Sequence, residues 1–352
     1  MDLMSGITSK TAATGRLTTH YLESGSPGGE PVVFIHGNLA TGWFYERTLA
    51  AAPDKYRCIA PDMRGFGDSD QQPIDATRGL RDWSDDVCAL LDALEIDPPF
   101  HLVGWSTGGG AIMQYLIDHP ISTASLTLID TVSPYGFGGT QDIDGNPAFP
   151  DYSGSGGATG APEFVQRLAD GDRSDENDMS PRSVMNAYYW SPDHRETSER
   201  EDMLVDEILK SLVGDGGYPG DFVVSDNWPG FAPGASGILN ALSGRYLNTS
   251  GIVDVDPKPP ILWVRGSADL VVADGSGWEM GTLGSLGLVP GWPGEDVYPP
   301  QPMVAQTRAV LDRYSAAGGS YREEVFEGSG HGPHLDQTEK FNGLFFEFLT
   351  QI

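Results

Sequence analysis

Apolar residues along this chain keep two rhythms. A fully apolar run of strand length occurs at Pro31-Val-Val-Phe-Ile35, and further strands are read at Tyr56-Arg-Cys-Ile-Ala60, His101 to Val103, Ala124-Ser-Leu-Thr-Leu-Ile129, Pro260-Ile-Leu-Trp-Val-Arg265 and Tyr321–Phe326. Helical spacing separates them: Leu80, Trp83, Val87, Leu90, Leu91 and Leu94 within Arg78–Leu94, then Ile112, Met113, Leu116 and Ile117, then Met303–Ala317 and Gln337–Leu349. Runs with no polar face predict strands covered on both sides, and their alternation with helices predicts a mostly parallel sheet with right-handed crossovers. Arg16-Leu-Thr-Thr-His-Tyr-Leu-Glu23 alternates like an early strand.

The alternation stops after Val132 and resumes only near Pro260. The stretch between offers helices at Pro162–Ala169, Pro181–Tyr189, Glu199–Leu212 and Ala235–Tyr246, in a context rich in Gly, Pro and aromatic residues. The chain therefore divides into a core, 1–132 and 255–352, and an inserted helical lid, 133–254. The fold class is α/β, with the sheet flanked by helices. Asp274–Pro302 is too long and too rich in Gly and Pro for an ordinary connection, and is expected to form a second wall of the pocket.

The 352 residues suffice for a large core, and hydrophobic residues at 39% agree. No apolar run approaches the ~20 residues needed to cross a bilayer. The opening stretch lacks the charged and apolar regions of a secretory signal, so a cytoplasmic location is expected. The cysteines, Cys58 and Cys88, give no disulfide framework, and the histidines show no metal-ligand spacing, so no metal is expected. A net charge of -29 would repel nucleic acid and anionic membranes. It is spread along the chain, as expected of a surface adapted to high salt.

The candidate chemistry gathers at Phe100-His-Leu-Val-Gly-Trp-Ser-Thr-Gly-Gly-Gly-Ala111. A strand runs into Gly104-Trp-Ser-Thr-Gly108 and a helix follows at once, so incoming strand and outgoing helix nearly collide. Gly104 and Gly108 remove bulk at that point, and Gly109, Gly110 and Ala111 let the helix sit close on the sheet. Ser106 is left at the tip beside a helix N-terminus, where a serine can act as nucleophile. The N–H of Thr107, opening the helix, can donate to a developing oxyanion.

With this stretch, His36-Gly-Asn-Leu39, Pro61-Asp-Met-Arg-Gly-Phe-Gly-Asp-Ser69, Gly266-Ser-Ala-Asp269 and Gly328-Ser-Gly-His331 resemble the α/β-hydrolase family over the chain outside the lid. The resemblance implies a serine hydrolase that needs no cofactor and acts on a small molecule, expected here to be an apolar ester. It also implies that the N–H of Asn38 is the second oxyanion donor.

A serine hydroxyl needs a neighbouring base. His331 follows the last strand between Gly330 and Gly332, where the chain can aim an imidazole at Ser106, while His334 is the competitor. Asp269 is the expected acid by chain order and motif, and Asp130 competes from the end of the preceding strand. Leu39, Trp105, Tyr188, Trp190 and Trp228 are expected to contact substrate. Carbon–carbon bond hydrolysis, lactone hydrolysis, acyl transfer and perhydrolysis on the same residues remain rivals, as does a ligand receptor that has kept the pocket. Epoxide and haloalkane hydrolases are disfavoured, since they carry an aspartate where Ser106 stands.

Overall fold

A computed structural model describes residues 3–352. It opens with strand β1 (Ile7–Ala13), antiparallel to β2 (Thr18–Gly25). Then come β3 (Glu30–Ile35), helix α1 (Glu46–Ala50), β4 (Tyr56–Pro61), α2 (Arg81–Ala93), β5 (Phe100–Trp105), α3 (Thr107–Asp118) and β6 (Thr123–Ile129). The inserted segment holds helices α4 (Pro162–Ala169), α5 (Pro181–Tyr188) and α6 (Ser198–Ile208). It also holds short strands β7 (Val213–Gly214), β8 (Tyr218–Pro219), β9 (Phe222–Val224) and β10 (Phe231–Pro233), and one helical turn, α7 (Ile238–Ala241). The sheet resumes with β11 (Ile261–Gly266), followed by α8 (Met280–Ser285), α9 (Met303–Ala316), β12 (Tyr321–Phe326), α10 (Pro333–Asp336) and α11 (Thr338–Thr350).

Eight strands make one sheet in the order β1-β2-β4-β3-β5-β6-β11-β12. Strand β2 is antiparallel to both neighbours, and the pairs from β4 to β12 are parallel. The carboxyl ends of β3, β5, β6, β11 and β12 therefore share one rim, where an open parallel sheet takes its ligands. Val32, Val33, Phe34, Ile35, Leu102 and Val103 have 0% exposure, as their unbroken apolar runs demand. The β12 edge is charged instead: Glu323 is held by Arg265 at 2.6 Å and Arg308 at 2.7 Å, which discourages pairing with another chain.

The structure departs from the sequence expectations in three places. Strand β1 escapes hydrophobic patterning because it is an edge strand, and Thr8 to Thr11 are exposed. The insert is mixed rather than purely helical, with β7 paired to β8 and β9 to β10. The helix expected over Ala235–Tyr246 shrinks to Ile238–Ala241, since Gly237 at φ 90° cannot extend it backwards. Among the described residues no helix is long and apolar enough to cross a membrane.

Candidate active site

Ser106 joins β5 to α3 with φ 54° and ψ -115°, a left-handed backbone costing about 1–3 kcal/mol for a residue with a side chain. Its own N–H donates to Ile129 O at 2.9 Å, and its carbonyl accepts from Gly109 at 3.0 Å and Val132 at 3.1 Å, so β6 and the following loop hold the strained turn. The glycines are required sterically. A Cβ on Gly104 would lie 2.4 Å from Gly108 O, and one on Gly108 would lie 2.1 Å from Ile35 O.

Asp269 and His331 meet from the ends of β11 and β12, with Nδ1 of the ring 2.8 Å from Asp269 Oδ2. Asp269 Oδ1 accepts from the N–H groups of Val271 at 2.7 Å and Val272 at 3.1 Å. With both its oxygens accepting, Asp269 places the ring proton on Nδ1 and leaves Nε2 free to take another. Asp336 fastens the histidine loop, accepting from Ser329 Oγ and from Gly330 N at 2.8 Å, and it also accepts from Ser191 N of the insert at 2.9 Å. Trp105 reaches the same loop, its indole N–H donating to His331 O at 2.7 Å. Ser106 and His331 line one cavity, but no hydrogen bond joins Ser106 Oγ to the ring in this arrangement. Such bonds are often long until substrate is bound.

The two competitors fall elsewhere. His334 is 1% exposed among Tyr45 and Trp105, neither ring nitrogen has a partner, and burial pushes it down to about 3. It is a neutral core residue. Asp130 does not take the ring nitrogen; its Oδ1 accepts from Gly266 N at 2.9 Å. His36 is also neutral, pushed down to about 4 by complete burial. Its Nε2 accepts from Met63 N at 2.9 Å, so Nδ1 donates to Gly37 O at 2.7 Å and locks the loop that carries Asn38.

The cavity has a volume of about 100 Å³. Of the expected residues, Asn38, Leu39, Trp105, Ser106, Thr107 and His331 line it. Tyr188, Trp190 and Trp228 do not. Tyr188 packs edge-on to Trp278 at 4.9 Å, Trp190 is 1% exposed with its ring edge-on to His194 at 5.5 Å, and Trp228 packs on Tyr298 at 4.9 Å with its N–H on Pro290 O. The aromatic wall is built instead by Phe137, Tyr189, Tyr218 and Trp278. Tyr189 sits one step past Tyr188 at the end of α5, so only the rotation of that helix separates them. Trp278 comes from the Gly/Pro-rich stretch expected to form a second wall. No Lys, Arg, Asp or Glu lines the cavity among the described residues.

Two clusters bring histidine and carboxylate ligand atoms within 4.8 Å of one another, His20 with Asp62 and Asp68, and His331 with Asp130 and Asp269. In both, the ring bonds directly to a carboxylate, at 2.7 Å for His20 and 2.8 Å for His331. We assign no ion to either.

Sheet order, strained elbow and imidazole–carboxylate pair together define an α/β hydrolase architecture. The chain belongs to the alpha/beta hydrolase family, whose model matches residues 32–344. It is 36% identical over 114 residues to a cis-3-alkyl-4-alkyloxetan-2-one decarboxylase of Shewanella oneidensis, covering 32% of this chain and 35% of that protein. It is also 36% identical over 142 residues to a 2-hydroxymuconate semialdehyde hydrolase of Pseudomonas sp., covering 38% of this chain and 48% of that protein. The chain thus matches less than half the length of either relative. An esterase from Exiguobacterium antarcticum shares the fold with a TM-score of 0.59 at 18% identity, over 97% of this chain and 100% of that one.

Proposed function

We propose that this protein is a serine hydrolase cleaving an uncharged carboxylic ester through an acyl-enzyme. The observation that carries the reading is His331, its Nδ1 held 2.8 Å from Asp269, in the same cavity as Ser106 on its strained turn. In this mechanism Ser106 Oγ attacks the ester carbonyl carbon while its proton passes to His331 Nε2. The tetrahedral oxyanion is held by the N–H groups of Asn38 and Thr107. The C–O bond to the alcohol half then breaks, and the leaving oxygen takes the proton from Nε2. Water attacks the acyl group on Ser106 and gives its proton to Nε2; the acyl bond to Ser106 Oγ then breaks as Nε2 returns that proton to Oγ, and the acid is released, while Asp269 offsets the imidazolium charge at each stage. Residues 133–254 act as a lid over the core formed by 1–132 and 255–352.

The uncharged lining favours this over a second reading suggested by the semialdehyde hydrolase relative, whose name implies a muconate acid. A carboxylate brought into this cavity would lose its water and find no cation, a penalty of several kcal/mol. An aliphatic or aryl ester loses little. The reading is tested by treating the protein with a fluorophosphonate, mapping the adduct, and assaying 4-nitrophenyl esters of graded acyl length beside a 2-hydroxy-6-oxo-dienoate. An adduct on Ser106, ester turnover abolished in Ser106→Ala and no dienoate cleavage are expected. Labelling elsewhere, or dienoate cleavage faster than that of every ester, would reject it.

A further inference from the structure

Asp130 is a buried carboxyl to which the mechanism above gives no task. It stands at the carboxyl end of β6 with φ 38°, a strained conformation, and its N–H donates to Val264 O at 2.9 Å. Gly266 N–H binds its Oδ1 at 2.9 Å, and the other oxygen, Oδ2, is buried with no donor. One oxygen of Asp130, one of Asp269 and a ring nitrogen of His331 lie within 4.8 Å of one another. At such range away from water, each carboxylate raises the cost of ionising the other, which favours a proton shared by the pair.

Asp269 cannot be the holder. Its two oxygens already accept three hydrogen bonds, from Val271 and Val272 on Oδ1 and from His331 on Oδ2, which leaves only one lone pair open on the carboxylate. Asp130 accepts one, and its bare Oδ2 is an acceptor with nothing to accept. Protonated, that oxygen becomes a donor and its burial is explained. We propose that Asp130 is a positioning residue, a neutral carboxylic acid whose proton is directed at Asp269 and fixes that carboxylate, through one shared charge, against His331.

The charged and titratable groups facing Asp130 agree. Burial first, then the Asp269 charge, pushes its carboxyl well above the usual range, and Asp336 of α10 adds to the push. His331 is the group on the other side of Asp269, and Gly266 N–H works against the shift. The inference rests on the proposed hydrolase mechanism only for its kinetic consequence, since the location of the proton is independent of turnover.

The test has two arms on the full chain. Isotope-edited infrared spectra at neutral pH should show the C=O stretch of a protonated carboxyl that disappears in Asp130→Asn and survives in Asp336→Asn. Absence of that band, or its survival in Asp130→Asn, overturns the proposal. With a 4-nitrophenyl ester, Asp130→Leu, which leaves Gly266 N–H unpaired and Asp269 without its donor, should lower kcat by about tenfold or more at little-changed KM. Asp130→Asn keeps an acceptor for Gly266 and an N–H for Asp269, and should recover most of that loss. Equal kcat in the Leu and Asn variants, or a loss confined to KM, also overturns it. Should the Leu variant fail to fold, the infrared arm decides alone. A protein that hydrolyses no ester yet shows the band would refute the hydrolase reading and leave the carboxyl pair standing.

Discussion

The hydroxyl of Tyr189 donates to Leu39 O at 2.9 Å and approaches Asn38 O at 3.3 Å, tying the insert to the loop that carries the proposed oxyanion donor. Leu39 sits at φ 52°, a conformation that needs outside support. Tyr189→Phe keeps the ring in the cavity wall and removes only the tether. It should lower kcat about three- to tenfold with KM little changed, and stability by about 1 kcal/mol, read from steady-state kinetics and urea unfolding. A higher KM at unchanged kcat would mean that the hydroxyl serves substrate binding instead.

Gly108 tests whether the elbow is sterically obligatory. A Cβ there would sit 2.1 Å from the backbone oxygen of Ile35, which cannot retreat because β3 lies inside the sheet. Gly108→Ala should cost about 3 kcal/mol or more by urea unfolding and should also remove labelling of Ser106. A stable, labelled variant would show that strand and helix can part without loss.

Acid should destabilise the protein through its neutral buried histidines. His36 is held down to about 4 and His334 to about 3, whereas an unfolded histidine titrates near 6.5. Below 6.5 the unfolded chain binds protons that the folded chain refuses, so stability falls as pH drops from that value toward the folded pKa values and is recovered above it. Each contributes about 2 kcal/mol between pH 7 and pH 5. His334→Phe, in a pocket already walled by Tyr45, Trp105 and Phe341, should flatten the curve over that interval by this amount. An unchanged slope would show that His334 charges without cost.

Salt should act in the opposite sense to its effect on a balanced surface. With a net charge of -29, like-charge repulsion dominates, and screening it should raise the thermal midpoint between low salt and molar KCl. A flat or falling midpoint would mean that local ion pairs outweigh the repulsion. The buried pair between Arg200 and Glu46, 2.6 Å apart, joins the insert to the core where salt screens little.

Much of this protein was legible in its sequence because the signals are local. A strand between two helical layers must be apolar throughout, so β3, β5, β6 and β11 announced themselves. A turn with no room for side chains must be glycine on either side of Ser106, and the chain order placed His331 and Asp269 at neighbouring strand ends. Where a side chain points across an element boundary, local patterning carries no direction of its own. Tyr189 rather than Tyr188 enters the cavity because of how α5 is rotated, and Trp190 and Trp228 turn into packing of their own. Which of Asp269 and Asp130 bonds the His331 ring was likewise tertiary, since both stand at the same rim and only packing brings Asp269 Oδ2 onto Nδ1 while leaving Asp130 Oδ2 short of a partner. Periodicity and steric exclusion act over a few residues and can be read in order; the rotation of a helix and the sharing of a proton depend on atoms that meet only when distant parts of the chain pack together.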